Sequence, residues 1–115
     1  MPPSEDRMDS LISELRRGTV VLGVLSLLRD RQYGYSLTQR LAELGLEVDQ
    51  STLYPLLRRL EKQNLLDSDW ALEEARPRRY YVLSAQGRRM LEQLTQEWDA
   101  IVRAMDRALH REGKD

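Results

Sequence analysis

The sequence STLYPLLRRLEK, residues 51–62, has the spacing of an amphipathic helix. Its leucines share one face, which consists of Leu53, Leu56, Leu57 and Leu60. The opposite face is polar and basic, and it consists of Ser51, Pro55, Arg58 and Lys62, with Tyr54 and Arg59 at its edges. We predict a helix whose leucines pack into a core and whose basic side chains stay exposed. Asn64 can end this helix in a left-handed cap.

An N-terminal helix is predicted well before this segment. Its apolar residues have helical spacing at Met8, Leu11, Ile12 and Leu15, and after Gly18 an apolar stretch covers residues 20–28. The pattern fits one interrupted helix or two abutting helices, of which the later part is buried.

A short second helix is predicted after a polar connection at residues 29–34, and it is marked by Leu37, Leu41 and Leu44. Ser36 and Gln39 have the spacing of an N-terminal capping box, and Gly45 has the position of a C-terminal cap. The leucine-rich helix at 51–62 is therefore the third.

The period of the sequence changes after the third helix. Leu66, Ser68, Trp70 and Leu72 alternate with other residues, which predicts a strand, and the run YYVL at 80–83 predicts a second one. Residues 74–78 form a basic loop between them, and Trp70 is expected to anchor the hairpin to the helices. Three helices followed by a hairpin are the order of a winged helix-turn-helix domain.

The C-terminal segment returns to helical spacing, with Ser84 as its predicted N-cap. Its apolar seam consists of Leu91, Leu94, Trp98, Ile101 and Met105. A helix of about 25 residues is roughly 37 Å long, whereas a compact chain of this size is roughly 34 Å across. The helix must therefore project or lie along a partner, which favours dimerisation.

We therefore predict a mainly α protein with a small β-hairpin. Residues 8–84 form the winged helix-turn-helix DNA-binding domain, including the N-terminal helix, and residues 85–110 form a dimerisation helix of the same globular unit.

Charge is distributed unevenly along the chain. The net charge is −1, but residues 50–90 have eight basic and five acidic side chains, a balance of +3, between flanks of −2 each. Only Lys62 and Lys114 among the 18 basic residues are lysine, and the arginine fork suits phosphates and guanine edges. Genome base composition is an alternative cause of this arginine richness, so the excess is informative only together with the fold.

Several function classes lack the residues that they need. The chain has no cysteine, and its single histidine, His110, lies near the C-terminus as a solvated residue. We expect no metal, no cofactor and no enzymatic activity. No apolar run approaches a membrane span, and no signal-peptide pattern is present, so we expect a cytoplasmic protein with no membrane partner.

Three motifs in order resemble the signatures of PadR-family repressors. They are TLYPLLRRLE at 52–61 with the following Leu65-Leu66, RPRRYYVLS at 76–84 with Gly87, and the earlier Gly34-Tyr35 pair. The resemblance covers roughly residues 18 to 98. It implies a homodimeric winged-helix repressor whose third helix and wing contact an inverted-repeat operator and whose C-terminal helix dimerises.

The resemblance also implies which residues contact double-stranded DNA. These are Tyr35, Ser51, Thr52, Tyr54, Arg58, Arg59, Arg76, Arg78 and Arg79. The outer face of the third helix adds Pro55 and Lys62. Two interpretations of Pro55 remain. Its ring packs on sugar-phosphate or a thymine methyl, or it is a tolerated proline, and the carbonyl that its missing N–H leaves unbonded faces water.

Two interpretations of Trp98 remain. On the seam it is either dimer core, or a stacking partner for a flat aromatic effector, which the resembled family can bind at the dimer interface. In the second case, the effector would favour a half-site spacing that fits DNA poorly.

The predicted function is a regulator, most simply a repressor, that binds a palindromic operator through two third helices about 34–36 Å apart. One rival is a winged-helix interaction module that dimerises without contacting DNA. The other is a small enzyme, for which the sequence offers only scattered carboxylates.

Overall fold

The structure is a computed structural model, and it describes residues 5–111. Within these residues, four helices and three strands follow one another: α1 (Glu5–Leu27), β1 (Gln32–Tyr33), α2 (Gly34–Glu43), α3 (Gln50–Lys62), β2 (Leu66–Glu73), β3 (Arg76–Leu83) and α4 (Ala85–Leu109). The strands form one antiparallel sheet in the order β1-β3-β2. The predicted class, mainly helical with a small hairpin and a long C-terminal helix, is confirmed, with a third strand added.

The core lies where α1, α2, α3 and the sheet meet. The leucine face of α3 is buried as predicted, and Leu53 and Leu57 are wholly inaccessible to solvent. The end of α1 contributes Val24 and Leu25 to the same cluster, and Leu28 joins them directly after the helix. Burial of each such side chain stabilises the fold by about 1.5–3 kcal/mol.

The N-terminal helix is continuous, which decides between the two alternatives for its pattern. It runs through Gly18 without interruption and begins at Glu5, earlier than the Met8 boundary predicted. Its two parts differ in burial: the apolar residues up to Leu15 are exposed, whereas those after Val20 pack against the core.

The start of α2 differs from the prediction. The helix begins at Gly34 rather than after Ser36, and its N-cap, Tyr33, provides no side-chain bond. Gln32 and Tyr33 pair with β3, so the backbone stays extended up to Tyr33 and helix can begin only there. The Ser36 hydroxyl instead donates to the Tyr33 carbonyl at 2.9 Å. The predicted capping box at Ser36 and Gln39 was therefore wrong, because the prediction did not include strand β1.

The predicted helix ends are confirmed. Gly45 has φ of 85°, and Asn64 has φ of 65°. In both cases the next residue's N–H bonds to a carbonyl in the last helical turn, from Leu46 to Leu41 at 2.8 Å and from Leu65 to Leu60 at 3.0 Å. Both helices thus end in left-handed caps, after which the chain changes direction.

The wing is longer and tighter than predicted. The five-residue loop is in fact a two-residue turn, Glu74-Ala75, with φ of 49° and 61°. Positive φ at both positions is what a type I′ hairpin turn requires. The ladder therefore extends to the pair Glu73–Arg76, and residues 76–78 belong to a strand.

The C-terminal helix projects beyond the winged domain, as its length predicted. Ser84 is its N-cap and accepts from the Gly87 N–H at 3.0 Å. The described part of the protein measures 62 × 34 × 24 Å. Within residues 5–111, no helix combines the length and the apolar character that crossing a membrane requires.

Candidate nucleic-acid interface

The outer face of α3 is open to solvent. Tyr54 is half-buried, and the other predicted contact residues on this helix are exposed. These are Ser51, Thr52, Pro55, Arg58, Arg59 and Lys62. Asp49 caps the helix, because its carboxylate accepts from the Thr52 N–H at 2.9 Å. Pro55 is therefore the sixth helical residue, and its ring lies on the exposed side.

Asp49 also accepts a hydrogen bond from the Ser51 hydroxyl at 2.9 Å. The bonds from Ser51 and Thr52 lower the pKa of Asp49 below its ordinary value. The carboxylate consequently stays charged at the positive end of the α3 dipole, where a negative charge is favourable.

A cleft of about 720 Å³ separates the outer face of α3 from the wing. Among the described residues, those that line it include four arginines and no Asp or Glu. The arginines are Arg58, Arg76, Arg78 and Arg79. Such a surface attracts polyanions, because arginines bind phosphate oxygens in a planar, two-pronged geometry.

Tyr35 and Tyr54 also line this cleft. Tyr54 reaches it only because position 34 has no side chain: a Cβ on Gly34 would lie 2.4 Å from the Tyr54 ring, well inside van der Waals contact. The structure thus gives a packing reason for the Gly34-Tyr35 pair.

The guanidinium of Arg78 lies over the Tyr33 ring, 4.4 Å from its centroid. Tyr33 in turn meets Tyr80 edge-to-face at 5.4 Å. Arg31 lies 4.0 Å over Tyr80 and forms a 2.7 Å ion pair with Asp69. Its guanidinium lowers the pKa of Asp69. This outer face of the sheet orients Arg78 without neutralising its charge.

Arg79 is held differently from Arg78. Its guanidinium donates to Glu61 of α3 at 2.9 Å and to the Ser68 hydroxyl at 3.0 Å. The bond joins the wing to the end of α3. The charge of Arg79 is largely compensated by Glu61, so Arg79 differs from the other predicted DNA contacts.

Ser51, Thr52, Pro55, Arg59 and Lys62 lie on α3 outside the cleft. Conversely, the cleft includes Tyr33, Gln50 and Trp70, which sequence reasoning did not assign to it. Trp70 was expected to anchor the hairpin, but 64% of its surface is exposed. Strand alternation alone indicates a face, not whether that face meets the helices.

The predicted dimerisation seam divides into two parts. Leu91 is 5% exposed and belongs to the core of this chain, against which Leu94 also packs. The apolar surface of Leu91 is therefore used within the protomer rather than in a dimer, whereas the dimer role of the half-buried Leu94 stays a prediction. Trp98, Ile101 and Met105 lie beyond the core and remain 39–49% exposed.

A helix-turn-helix followed by an arginine-lined wing defines a winged helix-turn-helix protein. Residues 24–93 match the model of the transcriptional regulator PadR-like family, and the chain belongs to this family. Its members are transcriptional regulators rather than enzymes.

Known proteins agree with this assignment. The chain is 38% identical over 92 residues to a transcriptional regulator of Mycobacterium tuberculosis, covering 73% of this chain and 86% of the relative. It superposes on a PadR family regulator from Eggerthella lenta with a TM-score of 0.85 and 41% identity, over 94% of this chain and 96% of the other. For a PadR-like regulator of Bacillus cereus the values are 0.79 and 26%, over 87% and 100%.

Proposed function

We propose that the protein is a homodimeric repressor that binds an inverted-repeat operator through α3 and the wing. The observation that carries this proposal is the arginine-lined cleft between them. A duplex offers one phosphate charge per about 1.7 Å of axis. The cleft has three arginines besides the ion-paired Arg79, and no carboxylate among its described lining residues, so it fits that backbone.

The third helix supplies the sequence readout. The major groove is about 12 Å wide and admits one helix. Arg58 projects from the exposed face of α3, opposite its buried leucines, and can pair with O6 and N7 of guanine. Thr52, Tyr54 and Pro55 on the same helix are suited to base-edge and thymine-methyl contacts, whereas Arg59 and Lys62 are suited to phosphates.

The wing supplies the adjoining contacts. Arg76 is exposed beside the hairpin turn, and Arg78 is oriented by Tyr33. Both guanidinium groups are suited to phosphate or minor-groove contacts next to α3, together with Tyr35 and Ser51. We assign Arg79 a positioning role, because Glu61 and Ser68 already hold it.

The distal half of α4 supports the proposed dimerisation. Trp98, Ile101 and Met105 present an apolar strip that nothing in the described part of the chain covers. A two-fold partner would place two α3 helices about 34–36 Å apart, one turn of DNA. Binding across a promoter would then exclude the transcription machinery, which is repression, and the protein would act in the cytoplasm beside the chromosome.

An effector site at the same place is part of this proposal. The half-exposed Trp98 ring is suited to stacking on a flat aromatic compound between the two α4 helices. Titration of aromatic compounds should change both tryptophan emission and operator affinity. If neither quantity changes across a broad panel, the effector part of the proposal is wrong.

Selection of bound sequences from a random duplex pool tests the DNA-binding proposal. We expect a palindromic motif with half-sites one helical turn apart, and an affinity that falls steeply as salt rises. Enrichment of no sequence, together with no salt-sensitive complex, would instead favour a dimerising interaction module that does not contact DNA.

A further inference from the structure

One side of the wing is apolar. Residues that pair across β2 and β3 point to the same face, and here the successive pairs are Ser68–Tyr81, Trp70–Arg79 and Leu72–Pro77. The first pair is packed inward, with Tyr81 only 4% exposed. The two outer pairs place an indole, an isobutyl group and a pyrrolidine ring side by side in solvent.

This apolar face looks toward α3. Arg79 lies on it and bonds to Glu61 of α3, and Trp70, Pro77 and Arg79 all line the cleft. Leu72 is one pair further out toward the turn. The apolar face is thus the inner wall of the wing, facing the space that the proposed function assigns to DNA.

Most of the apolar surface of Trp70 and Leu72 is left uncovered by the described part of the chain. Trp70 is 64% exposed and Leu72 is 75% exposed, although an aromatic side chain can bury 150–250 Å² when it finds a partner. The guanidinium of Arg79 lies 5.7 Å from the Trp70 ring centroid, which helps to hold the indole at the cleft.

The surrounding charge selects the occupant. Arg58 of α3 also lines the cleft, as do Arg76 and Arg78 from the outer face of β3, and no acidic residue lines it in the described part of the chain. A duplex combines phosphates, which pair with such arginines, and apolar deoxyribose rings and base edges in its grooves. A two-fold contact that pairs this wall with the same wall of a second copy would bring two sets of arginines together, which repulsion disfavours.

We propose that Trp70 and Leu72 are DNA-contact residues, and that they pack on the deoxyribose and base edges of the groove beside the one occupied by α3. This inference rests on the proposed function. It divides the interface of the wing into a charged part, which releases counterions and weakens with salt, and an apolar part, which does not.

The affinity of the full chain for its selected duplex, measured across a salt series, tests the inference. Trp70→Ala should weaken binding about tenfold and leave the slope of log affinity against log salt unchanged, because no charge is lost. Leu72→Ala should weaken it about threefold, and Trp70→Phe should restore most of the loss. Leu44→Ala is the matched control, since Leu44 is 57% exposed and lies outside the cleft.

Fluorescence gives an independent reading, because Trp70 and Trp98 are the only tryptophans. In a Trp98→Phe background, whose own affinity is measured as the reference, the selected duplex should quench and shift Trp70 emission. This arm remains informative if Trp70→Ala fails to fold.

The outcomes separate the inference from the proposal beneath it. If the wild-type chain binds no duplex, the proposed function itself fails. If the chain binds in an Arg58-dependent manner while Trp70→Ala and Trp70 emission are unaffected, only the inference is overturned. It is likewise overturned if Trp70 emission changes with protein concentration in the absence of DNA, because a second copy would then cover the wall.

Discussion

The cleft and the distal half of α4 are both open to solvent, but their side chains differ in kind. The cleft is lined by arginines, tyrosines and one tryptophan. The distal helix exposes Ile101, Val102 and Met105 beside Trp98. A cleft lined by positive charges attracts a polyanion, whereas an exposed apolar strip is stabilised when another apolar surface buries it. One small domain thus has two surfaces that suit partners of different chemistry.

The two surfaces also depend differently on the core. The cleft forms between elements that the core fixes directly, since α3 buries four leucines and Arg79 joins the wing to α3. The strip on α4 begins where the core ends, after Leu91 and Leu94. Substitutions on the strip should therefore leave the winged domain folded, while substitutions in the cleft should leave the oligomeric state intact.

The largest expected effect comes from breaking the apolar strip. Ile101→Asp places a charge on a half-exposed seam position and should convert the proposed dimer to a monomer, as measured by light scattering. Operator affinity should then fall by on the order of a hundredfold or more, because the second half-site no longer binds intramolecularly. Gln96→Asp adds the same charge on the opposite side of α4 and should change neither quantity. A dimeric Ile101→Asp protein would locate the interface elsewhere.

Loss of a base contact should come next. Arg58→Ala is expected to weaken operator binding by about tenfold to a hundredfold and to relax the preference at one base position. The change should leave the dimer and its thermal midpoint unaltered, since Arg58 is exposed. Arg103→Ala, off the seam of α4, is the control. Full affinity in the Arg58 variant would remove this residue from the readout.

The neighbouring arginines of the wing should behave differently from each other. Arg78→Ala should reduce the salt slope by about 1 with little change in stability. Arg79→Gln should instead lower the free energy of unfolding by under about 1 kcal/mol, because its ion pair is partly exposed. A double-mutant cycle with Glu61→Gln isolates that coupling. If Arg79 shows no coupling to Glu61, and Arg79→Gln reduces the slope of log affinity against log salt as Arg78→Ala does, Arg79 is a phosphate contact instead.

The smallest expected effect concerns the cap of α3. Because the folded pKa of Asp49 lies below its ordinary value of 3.8, its contribution to stability is present above that value and is lost as pH falls through the folded pKa. Asp49→Ala should therefore lower the thermal midpoint at pH 7, and its gap to wild type should narrow in acid, where the part that depends on the charge is lost. Asp49→Asn retains a capping acceptor and should keep most of the stability without the acid dependence. A gap of the same size at pH 7 and below pH 2 would show that the charge of Asp49 does not contribute to stability.

Periodicity was sufficient for the elements whose partners are local. The leucine face of α3, the caps at Gly45, Asn64 and Ser84, and the projection of α4 all depend on spacing within one segment, and the structure has each of them. The failures depend on a distant partner. The capping box at Ser36 was displaced by the pairing of β1 with β3, a strand of two residues that has no periodic signal of its own.

The candidate site follows the same division. The outer face of α3 could be predicted because a helix turns its polar residues away from its apolar ones. The position of Trp70 could not, because alternation does not tell which face of a hairpin packs and how far along the ladder packing continues.

By itself, the sequence determined the helix-helix-helix-hairpin order, the family and the arginine-rich faces, since these depend on residue types and spacing. Only the tertiary structure decided that Leu91 and Leu94 serve the protomer's own core, that Arg79 is bound to Glu61, and that Trp70 lines the cleft. The physical reason is that a side chain's burial and charge partner are properties of what lies opposite it, and in each case that neighbour comes from another element of the chain.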